Sequence, residues 1–295
     1  MWYGRRSALM ILMLASVMVA GLVASSPAQA LSYGARMDEA EWIVDSTIFQ
    51  CSMRQPIPFY GEAVFTTRAG EREEFYFQSV PGPMSAGQAV LVSEPPVWKP
   101  GLPRVSMGNV PVTMDSLPIK LGATHARQLL AELEKGKAPR FSRMSWFGRD
   151  ERIDVEISSV HFQESYRIYR QCLAGLLPVN YEQIRRTRVQ FDNDKWDITP
   201  TTKKRLDMIV MYAKADREVN AFYVDGHTDD SHTRVYNLDL SKKRAESVSQ
   251  YLVKAGLSQD AITVRYHGER YPLVPNKTAA NRSINRRVTI RLEKE

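Results

Sequence analysis

Cysteine is nearly absent from this 295-residue chain: there are two, Cys51 and Cys172. That count excludes a disulfide-dense scaffold and any metal site built from several thiolates. Histidine is also sparse, at five residues. His125 and His161 have no nucleophile and orienting acid near them in sequence, so the N-terminal half carries no convincing catalytic arrangement. Low-complexity tracts and internal repeats are missing, which excludes a solenoid. Beyond Ala24 no apolar run is long enough to cross a bilayer. Charge of one sign is not concentrated either, because the formal +7 is spread thinly with both signs in most segments. No basic patch with interleaved aromatics stands out, so nucleic acid is a poor partner; acidic glycan or phospholipid surfaces suit a weakly basic protein better.

What is present begins with an export signal. Arg5 and Arg6 precede an apolar run from Ala8 to Ala24, then Ser25-Ser26-Pro27 and Ala28-Gln29-Ala30, the charged, apolar and small-residue layout of a secretory signal. Residues 1–30 are predicted to be cleaved, leaving about 265 residues from Leu31 onward in the periplasm. The rest of a twin-arginine motif does not follow Arg5-Arg6, and no Cys follows the run, which argues against a lipid anchor. The competing reading is a retained membrane anchor, for which seventeen apolar-run residues lie near the lower bound. In an oxidising compartment an even pair of cysteines usually bonds, so a Cys51–Cys172 disulfide is expected over two separate thiols. It would make 31–177 one unit, and the chain length fits a second domain over 178–295.

The first unit reads as mostly strand. Glu62 to Thr66, Glu73 to Val80, Val90 to Ser93, Val110 to Met114 and Ile153 to Val160 alternate or are aromatic-rich, with proline-rich connections between several of them. Thr124 is placed to cap a helix through Leu133 that stops at Gly136, and Phe162 to Leu173 gives a second helix ending at Gly175. Trp42, Trp98 and Trp146 read as core residues before interface anchors. After a junction at Leu176 to Glu182 come a strand from Thr187 to Phe191, a helix capped by Thr199 with Pro200 at its first position, and strands at Ile262 to Tyr266 and Arg286 to Leu292.

The second unit is organised around Gly226 to Arg244, GHTDDSHTRVYNLDLSKKR. Ala221 to Asp225 reads as a buried strand stopping at Gly226. Asn237 is placed to cap the helix that follows, whose stripe Leu238, Ala245, Val248, Leu252 and Ala255 ends at Gly256. Arg244 falls one position off this stripe, free to reach out, and a short crossover brings its guanidinium and the Asp229 carboxylate to opposite sides of one pocket. Such a pocket suits a zwitterion. Two other readings compete: a surface ion pair, and a metal site of a periplasmic hydrolase using His227, Asp229, Asp230 and His232.

Gly226-His227-Thr228-Asp229, Asn237, Leu240-Ser241, Arg244-Ala245, Gly268, Pro272 and Asn285-Arg286-Arg287-Val288 together resemble the signature of the OmpA-like peptidoglycan-binding domain. The resemblance implies non-covalent binding of the peptidoglycan stem peptide at diaminopimelate, with Asp229 on the side-chain ammonium and Arg244 on the carboxylate. Asn237, Thr228, Leu240, Asp192, Arg286 and Arg287 would assist. Short strands with turn signals suggest a barrel- or sandwich-like N-terminal unit with two helices, and strands alternating with two helices give the second unit a mixed sheet of βαβαββ type that fits the OmpA-like α/β sandwich, α+β overall. Trp42, Cys51, Ile57-Pro58-Phe59-Tyr60-Gly61, Pro95-Pro96-Val97-Trp98-Lys99-Pro100-Gly101, Arg149-Asp150-Glu151-Arg152-Ile153 and Cys172 resemble the MotY family of periplasmic flagellar motor components. That second resemblance implies a non-enzymatic protein without cofactor or metal. Its partners would be peptidoglycan, the basal-body ring proteins and the stator complex with its periplasmic partner. A general envelope tether unrelated to motility is the alternative.

Overall fold

The computed structural model describes residues 30–79, 83–96, 98–146 and 151–294. The signal segment, Ala30 excepted, lies outside the described residues, as do Val80, Val97 and the Arg149-Asp150 pair used above.

The first half runs β1 (Leu31–Tyr33), β2 (Ile43–Ser46), β3 (Gln50–Ile57), β4 (Gly61–Arg68), β5 (Glu74–Gln78), β6 (Gly87–Glu94), β7 (Val105–Val112), β8 (Ile119–Leu121), helix α1 (Ala123–Glu134), β9 (Ala138–Met144), β10 (Arg152–Glu156) and helix α2 (Phe162–Gly175). Two five-stranded sheets result, β1-β10-β9-β6-β7 and β2-β3-β4-β5-β8, antiparallel except for β1 beside β10. Their inner faces share one aromatic core. Phe75 of β5 stacks on Phe141 of β9 at 5.7 Å between ring centres, and Phe77 meets the same ring edge-on at 4.8 Å. Each such fully buried ring contributes about 1.5–3 kcal/mol of apolar burial. Trp42 joins this core, whereas Trp98 and Trp146 are about half exposed, at 49% and 51%.

Most boundaries shift by a few residues from those read in the sequence, and two of the shifts have a visible cause. Helix α1 begins one residue before Thr124, with Gly122 at the cap position and no side-chain cap. The strand expected over Ile153 to Val160 stops at Glu156 because the Ser158 backbone is captured from outside the sheet. Its N–H donates to Gln55 Oε1 at 2.8 Å, and its carbonyl accepts from Gln55 Nε2 and Trp42 Nε1. Gln55 is fully buried within β3, and that inward polar residue is also why β3 does not read as a strand from its pattern.

The second half comprises helix α3 (Tyr181–Ile184), β11 (Arg186–Gln190), α4 (Pro200–Ala215), β12 (Val219–Gly226), α5 (Arg234–Lys254), β13 (Ile262–Tyr266), α6 (Ala279–Asn285) and β14 (Arg287–Lys294). The sheet order is β11-β14-β12-β13, with only the β12/β13 pair parallel. Phe222, Val224, Val288, Ile290 and Leu292 meet Leu206, Ile209, Ala245, Val248 and Leu252 of α4 and α5 in a second buried cluster. Thr199 caps α4 as expected, its side chain accepting from Thr202 N, with Pro200 first in the helix.

Helix α5 departs from expectation. Its cap is Thr233, which places Asn237 inside the helix and fully buried. Leu238 faces solvent, and Leu240, Ser241 and Arg244 take the inward positions instead. Close approach to β12 sets this face: a Cβ on Gly226 would lie 2.1 Å from the Ser241 carbonyl oxygen.

The two clusters meet at the junction. Leu177 N donates to Ile48 O at 3.0 Å, and Phe49 packs on Tyr212 with centres 5.5 Å apart. Asn180 and Gln183 form a capping box on α3, and their amides also grip the β4–β5 turn by donating to Ala69 O and Gly70 O. Gly70 is required there twice over, by a φ of +70° and by the Val179 Cα, which would lie 2.9 Å from a Cβ. Next to this contact Cys51 and Cys172 form a disulfide across a sequence separation of 121. A loop of that size stabilises by about 4–5 kcal/mol in the chain-entropy account. Replacing both cysteines by serine is expected to lower the melting temperature of the full chain by about 10 °C or more in a thermal scan; an unchanged melting temperature would deny the bridge a structural role.

Candidate functional site

The end of β12 leads into a buried segment. His227, Thr228 and Asp229 are 6%, 2% and 3% exposed, yet none belongs to a helix or strand. Backbone bonds hold them: His227 N donates to Arg287 O and Thr228 N to Gly268 O, both at 2.9 Å. From Asp230 to Tyr236 the chain is exposed.

Asp229 has two anchors. Its Oδ1 accepts from Ser231 N at 3.1 Å, and its Oδ2 accepts from Arg286 Nη1 at 2.9 Å. Burial alone would raise its pKa, but the bonds from Arg286 and Ser231 outweigh it and hold the carboxyl below the ordinary range. Arg286 stands just before β14, and its Nε donates to Phe191 O. Sequence reading named both residues but did not pair them.

Arg244 is wholly buried rather than free to reach out. Its Nε donates to Lys195 O at 2.8 Å, Nη1 to His227 O at 3.1 Å and Nη2 to Asp192 O at 3.0 Å, while its guanidinium lies 5.4 Å from the Phe191 ring centre. Burial pulls its pKa down to about 10, with Asp229 opposing, so it stays cationic at neutral pH. The loop after β11 is thereby stitched onto α5, helped by Ser247 Oγ, which donates to Trp196 O, and by a Tyr236 hydroxyl bond to Asp194. Neither helper stands out in the sequence, since an exposed Tyr in the first turn of a helix and a half-buried Ser in its middle carry no signal of their own.

The remaining predicted residues fall in three places. Asn237 donates to Glu269 Oε2 at 2.6 Å and to His232 O, while its own Oδ1, like Thr228 Oγ1 and His227 Nδ1, is buried without a partner among the described residues. Asp192 brings its main-chain carbonyl to Arg244 and keeps its side chain exposed; Leu240 is packed inward. Arg287 turns away, donating to Asn285 O and Tyr271 O to brace the loop before β14. Among the described residues no three His, Cys, Asp or Glu side chains are placed to hold a metal ion, and His232 instead packs on Tyr236 at 4.7 Å.

His227 stacks on His267 with ring centres 5.0 Å apart, and His267 reaches Asp225 at 3.1 Å. Burial, then the charge of Arg287, lowers the His227 pKa from 6.5 to about 3. The unfolded chain takes up a proton at this residue as the pH falls through its ordinary value, whereas the folded chain does not until far lower, so folding loses ground over that window. The melting temperature is expected to fall between about pH 7 and pH 4.5, and to fall less in His227→Gln; equal falls in both proteins would show that this ring does not govern the window.

Two family descriptions match the chain: "MotY N-terminal domain" over residues 33–178 and "OmpA family" over residues 190–286. The sodium-type flagellar protein MotY of Vibrio parahaemolyticus is 34% identical over 263 residues, 88% of this chain and 89% of that protein. Outer membrane protein A of Bordetella avium is 37% identical over 102 residues, which is 35% of this chain and about half, 52%, of that protein. Among solved structures, the peptidoglycan-associated lipoprotein of Burkholderia pseudomallei is 26% identical, covering 36% of this chain and 89% of that one with a TM-score of 0.35. By name these are a flagellar protein, an outer membrane protein and a lipoprotein. A match along nearly the whole of both chains, joined to a MotY N-terminal region and an OmpA-family C-terminal region, assigns this chain to the MotY family of flagellar proteins.

Proposed function

We propose that the chain is a non-enzymatic periplasmic anchor at the flagellar basal body. In this reading 178–295 binds peptidoglycan non-covalently at the diaminopimelate of the stem peptide, and 31–177 docks on the basal-body ring and helps retain stator units. One observation carries the binding half: a single buried carboxylate, Asp229, lies within the field of two guanidiniums, those of Arg286 and Arg244. Diaminopimelate presents an ammonium and a carboxylate on one carbon, so the first suits Asp229 and the second suits an arginine, two charge-assisted contacts that fix orientation as well as affinity. Nothing in this corner calls for turnover. Many modest contacts along a polymer supply holding strength through avidity. The docking half is supported by family membership.

The test is co-sedimentation of the mature protein with insoluble peptidoglycan beside Asp229→Asn, which keeps the side-chain shape and removes the charge. Loss of one member of a buried charge pair typically costs about 2–5 kcal/mol, so binding is expected to fall by more than tenfold at a temperature below the melting transition of both proteins. Equal sedimentation of both proteins would overturn the reading.

A further inference from the structure

Helices α4 and α5 cover one face of the second sheet, and the opposite face carries an excess of positive charge. The strand residues that alternate with the core include five arginines, Arg186 and Arg188 of β11, Arg265 of β13, and Arg287 and Arg291 of β14, against two carboxylates, Asp225 and Glu293. Both acids are already engaged. Asp225 accepts from Arg265 Nε and Nη2 at 2.6 and 2.9 Å, and Glu293 lies 3.2 Å from Arg291. Among the described residues Arg186, Arg188 and Arg287 form no ion pair. Arg186 instead stands directly opposite Arg291 in the antiparallel pair, an opposition of like charges that weakens a ladder. Arg287, 4% exposed, feels the same crowding: burial, then the charge of Arg188, pulls its pKa down to about 10, and its Nε is buried without a partner among the described residues. The sheet thus keeps a repulsion that its own fold does not relieve. In the middle of this face the Tyr223 ring lies 5.0 Å from the Arg265 guanidinium and 4.7 Å from that of Arg291, which holds both in place.

We propose that this open sheet face, centred on Arg186 and Arg188, docks an extended acidic segment of a partner protein. The type of cation favours that occupant. Diffuse attraction to an anionic membrane is served equally by lysine, whereas all five strand cations here are arginines, whose planar fork matches carboxylates in two-point geometry. Spacing favours it too. Arg186 and Arg188 are both exposed and stand two apart on one strand, a repeat of about 6.4–6.8 Å, the interval at which an extended peptide presents carboxylates on one side. A carboxylate seated between Arg186 and Arg291 turns their opposition into two ion pairs, so docking relieves what folding leaves strained. Arg265 and Arg291 keep 40% and 38% of their side chains exposed around Tyr223, and rigid arginine and tyrosine side chains are the types that anchor protein interfaces. The segment does not extend the sheet, because the Arg188 carbonyl already accepts from Arg205 Nη1 at 3.0 Å; recognition runs through side chains. Arg186 and Arg291 pair away from the end of β14 that follows Arg286, so this face and the Asp229 corner are separate surfaces. The chain can therefore hold a protein and a cell-wall ligand together.

The experiment is a fluorescence-anisotropy titration of the mature protein into a labelled peptide of alternating Glu and Thr at low salt. Arg186→Glu combined with Arg188→Glu is expected to weaken binding by about tenfold or more. The same double variant is expected to bind the matching peptide of alternating Lys and Thr, which wild type does not. That reversal is a gain that damage to the fold would not give. Arg167→Glu combined with Arg170→Glu makes an equal charge change at exposed positions of α2 and is expected to leave binding of the Glu peptide within about twofold of wild type. Arg186→Gln alone is expected to raise the melting temperature by about a degree or more, since it removes the opposition to Arg291. Equal losses in the two double variants would reduce the effect to net charge and overturn the proposal. So would failure of the reversed face to bind the Lys peptide, and so would a lower melting temperature in Arg186→Gln, which would make that arginine a structural residue. Absence of Glu-peptide binding by wild type would overturn it as well. Sedimentation of wild type, but not of the Arg186→Glu and Arg188→Glu double variant, with phosphatidylglycerol vesicles would then assign the face to a membrane surface.

Discussion

A guanidinium with no access to water must find its donors' partners inside the protein, and the second half of this chain is arranged to meet that demand. Among the described residues Arg244 is the largest fully buried side chain, and it draws three carbonyls from two loops onto one helix. Isolated, such a charge would carry a heavy desolvation penalty; with its hydrogen bonds made it becomes a fixed point. Everything near it inherits that fixity. The loop from Asp192 to Trp196 is set by it, His227 is held by it on one side and by Arg287 on the other, and Asp229 follows two residues later with its carboxylate already placed. The cost of burying Arg244 is thus offset by bonds that hold the whole corner in place.

The first half solves a different problem. It must close two sheets over an aromatic core while accommodating a β3 strand that carries an inward glutamine. Gln55 is satisfied by the Ser158 backbone, and Trp42 donates to the same carbonyl, so a polar defect is turned into a tie between two distant parts of the chain. Cys51, on the same strand, fixes the end of α2. One strand therefore carries both the covalent and the polar links that define this half.

Much of this was legible in the sequence, and the misses have physical reasons. The capped start of α4, the strand before Gly226, the cysteine pairing and the α+β class all come from local chemistry: a hydroxyl before a proline, an apolar run, an even cysteine count, alternating patterns; that strand is buried on alternate residues and not throughout. Helix α5 was read from the wrong residue because Asn237 is a favoured cap type standing at the start of an apolar repeat, whereas the true first turn, Arg234-Val235-Tyr236, is exposed and shows no periodicity. Arg244 reads as an outward residue because arginine is rarely buried, and two of the three carbonyls that reverse this rule lie about 50 residues away in sequence. The pairing of Asp229 with Arg286 spans 57 residues and has no local signature at all. Helix α6 is short and polar, and it is recognisable only once Asn285 is seen to bond Leu273, Val274 and Asn276 around it.

An anchor must also transmit what it holds, and the bonding pattern supplies a route. Asp229 and Arg286 sit at the same end of the two central strands, just beyond Gly226 of β12 and just before Arg287 of β14, which pair antiparallel along most of their length. At the far end of β14, Leu292 accepts from Tyr181 Oη and donates to Arg185 O, so the strand is fastened to α3. Helix α3 is in turn fastened through Asn180 and Gln183 to the β4–β5 turn, and β4 pairs with β3, which carries Cys51. A displacement at the candidate ligand corner is therefore passed along a sheet ladder, through a capped helix turn, into the disulfide-closed half without crossing a flexible linker. Under the anchoring role proposed above, this continuity matters more than the strength of any one contact. A ligand grip followed by a loose tether would let the ring drift by the tether's length, whereas a grip built onto the end of a central strand holds position to within the give of a hydrogen-bonded sheet.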